Sequence, residues 1–165
     1  MVIIGIDNGV SGWIAILADG QVRCFLPMPV KKELNYTKTK QFLKRVDIVK
    51  FLNILFENVP ADSDVIAVWE RPMVNPMRFK ASVSAIRCLE ATLVCLESCR
   101  VPFQYIDSKE WQRTMLPSGL RKEELKQASD SVAKRLFPEL AEQIKNGNGD
   151  ALLIAKYHSQ KEETE

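Results

Sequence analysis

Three apolar runs that each abut a carboxylate constrain this chain more than any other feature. Residues 2–6 run straight into Asp7, residues 65–69 run into Glu70, and Asp150 opens onto residues 151–155. Short apolar runs bounded by turn residues read as buried strands, and the third, at the head of a longer stretch, reads as a helix. A carboxylate placed so close to a core stays ionised only with a counter-charge nearby. A hard divalent cation supplies one, since Mg²⁺ prefers carboxylate oxygen. Strand ends that lie side by side bring sequence-distant side chains together, and α/β sheets bind ligands at their carboxyl edges. Each acid alone has an ordinary explanation: Asp7-Asn8-Gly9 as a turn, Glu70-Arg71 as a local ion pair, Asp150 as a helix N-cap. The combination carries the signal.

The remaining pattern supplies a frame. Residues 12–17 read as a second strand, Asp19-Gly20 as a two-residue hairpin, and residues 21–26 as a third strand, so the chain opens with an antiparallel meander. Residues 27–45 hold two prolines and no period, which reads as a long basic loop that orders only on a partner. Asp47 caps a helix to about Asn58. A proline-bounded loop follows the strand at 65–69. Residues 80–99 then form a long helix, with Val83, Ile86, Leu89, Leu93 and Leu96 at helical spacing. A strand at 101–106 leads to Ser108, a good cap for a short helix carrying Trp111. A helix over 122–136 stops at Phe137-Pro138, residues 145–149 form a flexible turn, and the last helix covers 150–158. This order predicts an α/β fold with a mixed central sheet, three antiparallel strands and then parallel ones, flanked by helices.

At 165 residues the chain fits one domain, 1–165, ending in a charged tail at 159–165. No apolar run reaches the roughly 20 residues of a membrane span. The N-terminus meets Asp7 at once, which suits neither a signal peptide nor an anchor. Cys24, Cys88, Cys95 and Cys99 form no CxxC pair and read as reduced thiols of a cytoplasmic protein. The net charge is only +2, yet residues 31–50 carry seven cations against two acids, and residues 71–87 carry four cations and no acid. That asymmetry fits either a basic face meeting a polyanion or a set of solvated loops. The helix at 80–99 is apolar over more than one side, with Cys88, Ala91, Val94 and Cys95 beside its main stripe. This fits a dimer interface or burial between sheet and helices.

Ile4-Gly5-Ile6-Asp7-Asn8-Gly9, followed by Gly12, resembles the opening of RuvC-like Holliday-junction resolvases, a branch of the RNase H-like nucleases, and the phage-type members above all. Val68-Trp69-Glu70-Arg71-Pro72 is similar to that family's second acidic strand. Val101-Pro102, Trp111, and the stretch from Lys126 through Ser129 to Leu136-Phe137-Pro138 match weaker phage-type features. Gly149-Asp150-Ala151 and the apolar residues after it look like the closing helix with its catalytic Asp-Ala pair. The resemblance covers about residues 2–158. It implies an RNase H-like fold and a homodimer that cuts opposed strands of a four-way DNA junction by two-metal hydrolysis with Mg²⁺ or Mn²⁺, in a bacterium or phage-infected cell. Asp7, Glu70 and Asp150 would be the catalytic metal ligands. The family uses a fourth acid, and here the phage-type Asp-Gly pair reads Asn146-Gly147. Asn146 offers the metal a carbonyl oxygen without charge. For DNA contact the candidates are Lys31, Lys32, Tyr36, Lys38 and Lys40 of the basic loop, since lysines hold phosphates and an aromatic can stack on an unpaired base. Arg71, Arg78 and Lys80 follow Glu70 and suit the backbone near the metals.

Two other functions compete. Asp-x-Gly before a hairpin also opens sugar kinases and actin-like ATPases, but those need two such domains and far more residues. A non-catalytic or inactivated junction-binding protein is the stronger rival, because of Asn146 and the basic loop. Among other residues, Trp111 reads as core packing, Asp107 as a helix cap, and His158 as a weak catalytic candidate two turns beyond Asp150.

Overall fold

The computed structural model describes residues 1–35, 38 and 40–162. In chain order its elements are β1 (Val2–Ile6), β2 (Trp13–Ala18), β3 (Gln21–Pro27), β4 (Val30–Leu34), β5 (Phe42–Val46), α1 (Ile48–Asn58), β6 (Val65–Glu70), α2 (Phe79–Ser98), β7 (Phe103–Ile106), α3 (Ser108–Met115), α4 (Leu125–Leu136) and α5 (Asp150–Glu162). The main sheet runs β3-β2-β1-β6-β7, antiparallel through the first three strands and parallel across β1, β6 and β7. This is the mixed sheet that the sequence order predicts. Among the described residues no helix is long and apolar enough to cross a membrane.

Strand β1 explains the layering. Successive side chains of a strand point to opposite faces. Val2, Ile4 and Ile6 enter a core shared with Phe51 and Leu55 of α1 and Cys88, Cys95 and Leu96 of α2. Ile3 faces the other way, into a core built with Trp111 of α3, Val132 and Ala133 of α4, and residues 151–155 of α5. Helices therefore cover both faces of the sheet, and β1, at its centre, is buried throughout. Helix α5 is apolar around most of its first turns because it packs on β1, β2 and β6 while α3 and α4 lie against it. Gly5 makes this seating possible. A Cβ at that position would collide with the Ala151 carbonyl and lie 2.8 Å from the Ala155 amide nitrogen.

The largest departure from the sequence reading is at 27–45, which is not a loop. Strands β4 and β5 form a separate antiparallel hairpin with Val30 opposite Val46 and Leu34 opposite Phe42. Its base is tied to the body: Met28 and Val46 are buried, the Met28 amide donates to the Gly12 carbonyl, and the Asp47 amide donates to that of Pro29. Charge masks the strand pattern in the sequence. On one face Glu33 pairs with Lys31 of its own strand and with Arg45 of the facing strand, while Lys32 and Lys44 face each other on the opposite side. Smaller departures lie at element ends. The 101–106 strand begins at Phe103, the 122–136 helix begins at Leu125, and the last helix continues to Glu162. Ser108 is the first residue of α3 rather than its cap; Asp107 holds the N-cap position without a side-chain cap bond. Asp47 caps α1 as predicted, accepting from the Lys50 amide.

If α5 is seated through Gly5, Gly5→Ala drives the helix off the sheet. We expect a loss of about 3 kcal/mol or more in urea unfolding; a loss below 1 kcal/mol would show that the helix yields easily.

Candidate functional site

The parallel register of β1 and β6 pairs Ile6 with Trp69, so Asp7 and Glu70 leave the sheet together at its carboxyl edge. Register between β6 and β7 brings the 107–108 corner to the same edge. Asp150 is the first residue of α5, whose next turns cross β1 at Gly5. Three acids from distant parts of the sequence thus meet at one corner, and each is half-buried. A cleft of about 380 Å³ opens there, lined by Asp7, Ser11, Trp13, Lys126, Asn146 and Asp150 among others.

Electrostatics records the convergence. Burial pushes the Asp7 carboxyl up from 3.8 to about 7, helped by the charges of Asp150 and Glu70 and opposed by Lys126. Glu70 rises from 4.5 to about 7, again through burial first and the charge of Asp150 second. Hydrogen bonds from Trp111 and Ser108 pull it back; the Trp111 Nε1 donates to Glu70 Oε2 over 3.3 Å. Trp111 is thus fully buried, as the sequence suggests, and its one polar atom still serves the site. Burial also raises Asp150, whose carboxylate accepts a short hydrogen bond from the Ser129 hydroxyl; Asp130 adds repulsion and Lys126 relieves it. No ion pair among the described residues neutralises any of the three acids.

The turn before α5 is more firmly held than its composition suggests. Asn146 and Gly147 have positive φ values of 60° and 81°. Asn148 is buried and bridges the Lys145 amide and the Gln143 carbonyl at 2.7 and 3.0 Å. Asp130 of α4 accepts from the amides of Gly147 (2.9 Å) and Gly149 (3.4 Å). Sequence reading missed Asp130. The signal available was its place one turn after Lys126 and beside Ser129, a spacing that puts all three near one helix face. Asn146 is exposed on the rim of the same cleft as Asp7 and Asp150.

The other sequence candidates lie farther out. Lys31 and Lys32 are on the β4–β5 hairpin and Lys38 and Lys40 beyond β4; Tyr36 lies outside the described residues. Arg71 turns away to Asp107, 3.2 Å from its Oδ1, with its guanidinium over the Tyr105 ring. Arg78 ends a short 3₁₀ turn and Lys80 lies in the first turn of α2, both exposed. His158 is buried, 2.7 Å from the Gln104 amide nitrogen, and belongs to the core.

The donor chemistry of the corner suits a hard cation: three desolvated carboxylates that repel one another, and beside Asp7 the Asn8 Oδ1, a buried acceptor without a hydrogen-bond partner among the described residues. As the side chains stand, no three His, Cys, Asp or Glu among the described residues form a group tight enough to hold a metal ion. The backbone brings the acids to one corner, where each raises the cost of ionising another.

No family model matches the chain, and no curated protein sequence matches it. Solved structures do. The structure described as "T. thermophilus RuvC in complex with Holliday junction substrate" aligns over 99% of this chain and 96% of its own, with a TM-score of 0.63 and 16% identity. "Thermus thermophilus RuvC structure" aligns over the same shares with a TM-score of 0.58 and 14% identity. The chain therefore has the RuvC-type, RNase H-like fold that its motifs suggest.

The raised carboxyls fix a stability profile. Unfolded acids ionise near pH 4, whereas Asp7 and Glu70 in the folded chain hold their protons to about 7. Between these values the folded form binds more protons, so stability without metal falls as pH rises from 4 and levels off above 7. We expect Asp7→Asn to raise the melting temperature in EDTA by about 4 °C or more at pH 8, and to change it little at pH 4. Thermal melts with a flat pH profile for the parent chain would refute the shared burial of these charges.

Proposed function

We propose that the chain is a metal-dependent, structure-selective endonuclease, a phage-type RuvC-like resolvase that cuts four-way and other branched DNA as a homodimer. The observation that carries this reading is the convergence of Asp7, Glu70 and Asp150 at the carboxyl edge of a RuvC-type fold, each made hard to ionise by burial first and by neighbouring charge second. In this reading Asp7, Glu70 and Asp150 hold two Mg²⁺ ions, for which Mn²⁺ substitutes, and Asn146 adds a neutral oxygen. A divalent pair in such a site supplies an activated water and a Lewis acid for the departing oxygen of a phosphodiester, leaving a 5′-phosphate.

The chain's own residues have definable tasks. Trp111 and Ser108 fix the Glu70 carboxylate, and Ser129 fixes that of Asp150. Each donor favours the ionised form, which is the form a cation requires. Asp130 holds the backbone of the turn that delivers Asp150. Lys126, on the cleft rim, draws down the pKa of both Asp7 and Asp150 and suits a phosphate oxygen. The hairpin lysines, with Arg71, Arg78 and Lys80, give the surface charge for DNA phosphates. Dimerisation suits α2, where Ile86 and Val94 remain 42% and 48% exposed while Cys88 and Cys95 are buried in the core. A two-fold enzyme matches a junction of near two-fold symmetry. A single catalytic domain acting in a bacterial or phage-infected cytoplasm completes the reading.

One observation favours the rival, a junction-binding protein that does not cut. Asn146 brings no charge to the ligand set. A cleavage assay on four-way, flap and duplex DNA with Mg²⁺ or Mn²⁺ decides between them. We expect cutting of the four-way junction, and loss of at least about 99% of it in Asp7→Asn. We further expect Asn146→Asp to raise Mg²⁺-dependent cutting by about tenfold, because the charge of the ligand set tunes affinity. Tight junction binding with no cut under either metal would establish the rival. An unchanged or lower rate in Asn146→Asp would remove position 146 from the ligand set.

A further inference from the structure

The β4–β5 hairpin has two faces of different character. On one, Glu33 pairs with both Lys31 and Arg45 and offsets one of their two charges. The other carries Val30, Lys32 and Leu34 on β4 opposite Val46, Lys44 and Phe42 on β5, with no acid among them. Because Val46 on this face is buried in the core, the face turns inward toward α2 near its base. Lys32 and Lys44 are direct cross-strand partners. Like charges placed directly opposite destabilise a strand pair unless an anion lies between or above them.

Across from this face, α2 presents Phe79, Lys80, Val83 and Arg87, which share one side of a helix. Between hairpin and helix lies a groove of about 430 Å³, lined by Phe42, Lys44, Phe79, Lys80 and Arg87, with Val10 at its inner end. Phe42 is 70% exposed and Phe79 72% exposed, so two phenyl rings stand in solvent beside three cations. Among the described residues no acidic side chain lines the groove. Val10 is three residues past Asp7, and the Asn8 side chain donates to the Ala85 carbonyl of α2 over 3.3 Å. The inner end of the groove thus lies within three residues of Asp7 along the chain.

We propose that this groove binds an unpaired stretch of nucleic-acid strand. Its cations meet phosphates, and its open rings offer stacking surfaces that only bases released from a duplex can use. The volume suits a small ligand rather than a double helix. The proposal deepens the endonuclease reading and rests on it only for the destination of the strand, which leads past Val10 to Asp7. The implied substrate preference is for branch points with unpaired nucleotides next to the cut.

The test is binding of fluorescein-labelled dT12 and U12 to the full chain, by anisotropy in EDTA, where no cutting occurs. We expect Phe42→Ala and Phe79→Ala each to weaken binding about tenfold with little change in salt dependence. Lys44→Gln should weaken it and lower the slope of log affinity against log salt by about 0.7, which a merely structural effect would not do. Thermal melts verify that the exposed positions leave folding intact. Unchanged affinity in all three variants overturns the proposal, even if the chain cuts junctions as expected. Loss of oligonucleotide binding in a chain that cuts nothing upholds the groove and sinks the endonuclease. A variant that turns a dimer into a monomer, with oligonucleotide affinity intact, assigns the groove to a second copy of the chain and also overturns the proposal.

Discussion

The close seating of α5 on β1 is the contact on which the carboxylate corner depends. A strand at the centre of a sheet would normally present side chains to both layers, keeping a helix at the distance those side chains set. At Gly5 the chain gives up a side chain, and the Ala151 carbonyl and Ala155 backbone occupy the space. The first residue of that helix is Asp150, so the depth at which the helix sits also sets the position of the third acid. Packing and chemistry are coupled through one missing methyl group.

The corner built in this way is electrostatically unfavourable to the fold. Asp7 and Glu70 are each pushed to about 7 by burial and by neighbouring charge. Among the described residues no ion pair cancels the charge; directed donors stabilise the ionised forms instead. Trp111 and Ser108 act on Glu70, and Ser129 acts on Asp150. Helix α4 forms a second layer behind the site, with Lys126, Ser129 and Asp130 each tied to the 146–150 segment or to its charge. Natural proteins keep such unfavourable clusters where they serve a ligand. The basic hairpin and the cationic end of α2 place opposite charge along the approach, beside the acids rather than on them.

How much of this the sequence discloses differs sharply between elements. Short apolar runs and glycine turns made β1, β2, β3 and β6 legible, and Asp47 marked the start of α1. The hairpin at 30–46 was not legible, because charged residues interrupt the apolar pattern of both strands and the pairing is a backbone ladder between them. Periodicity along one strand cannot reveal a bond between two. Trp111 read as core, which it is, but its Nε1–H bond to Glu70 joins residues 41 apart in sequence. Asp130 gave no signal of its own, since its partners are backbone amides of a turn on another element.

The sequence by itself determined the apolar strands β1, β2, β3 and β6, the main helices, and that acids stand at the ends of three apolar runs. These are local consequences of apolar spacing and turn chemistry. Only the tertiary structure decided that Asp7, Glu70 and Asp150 share one corner, that Ser129 and Asp130 stand behind it, and that Lys32 faces Lys44 above a groove. Those relations depend on strand register and on the depth of helix packing, and both are fixed by contacts between segments that lie far apart along the chain.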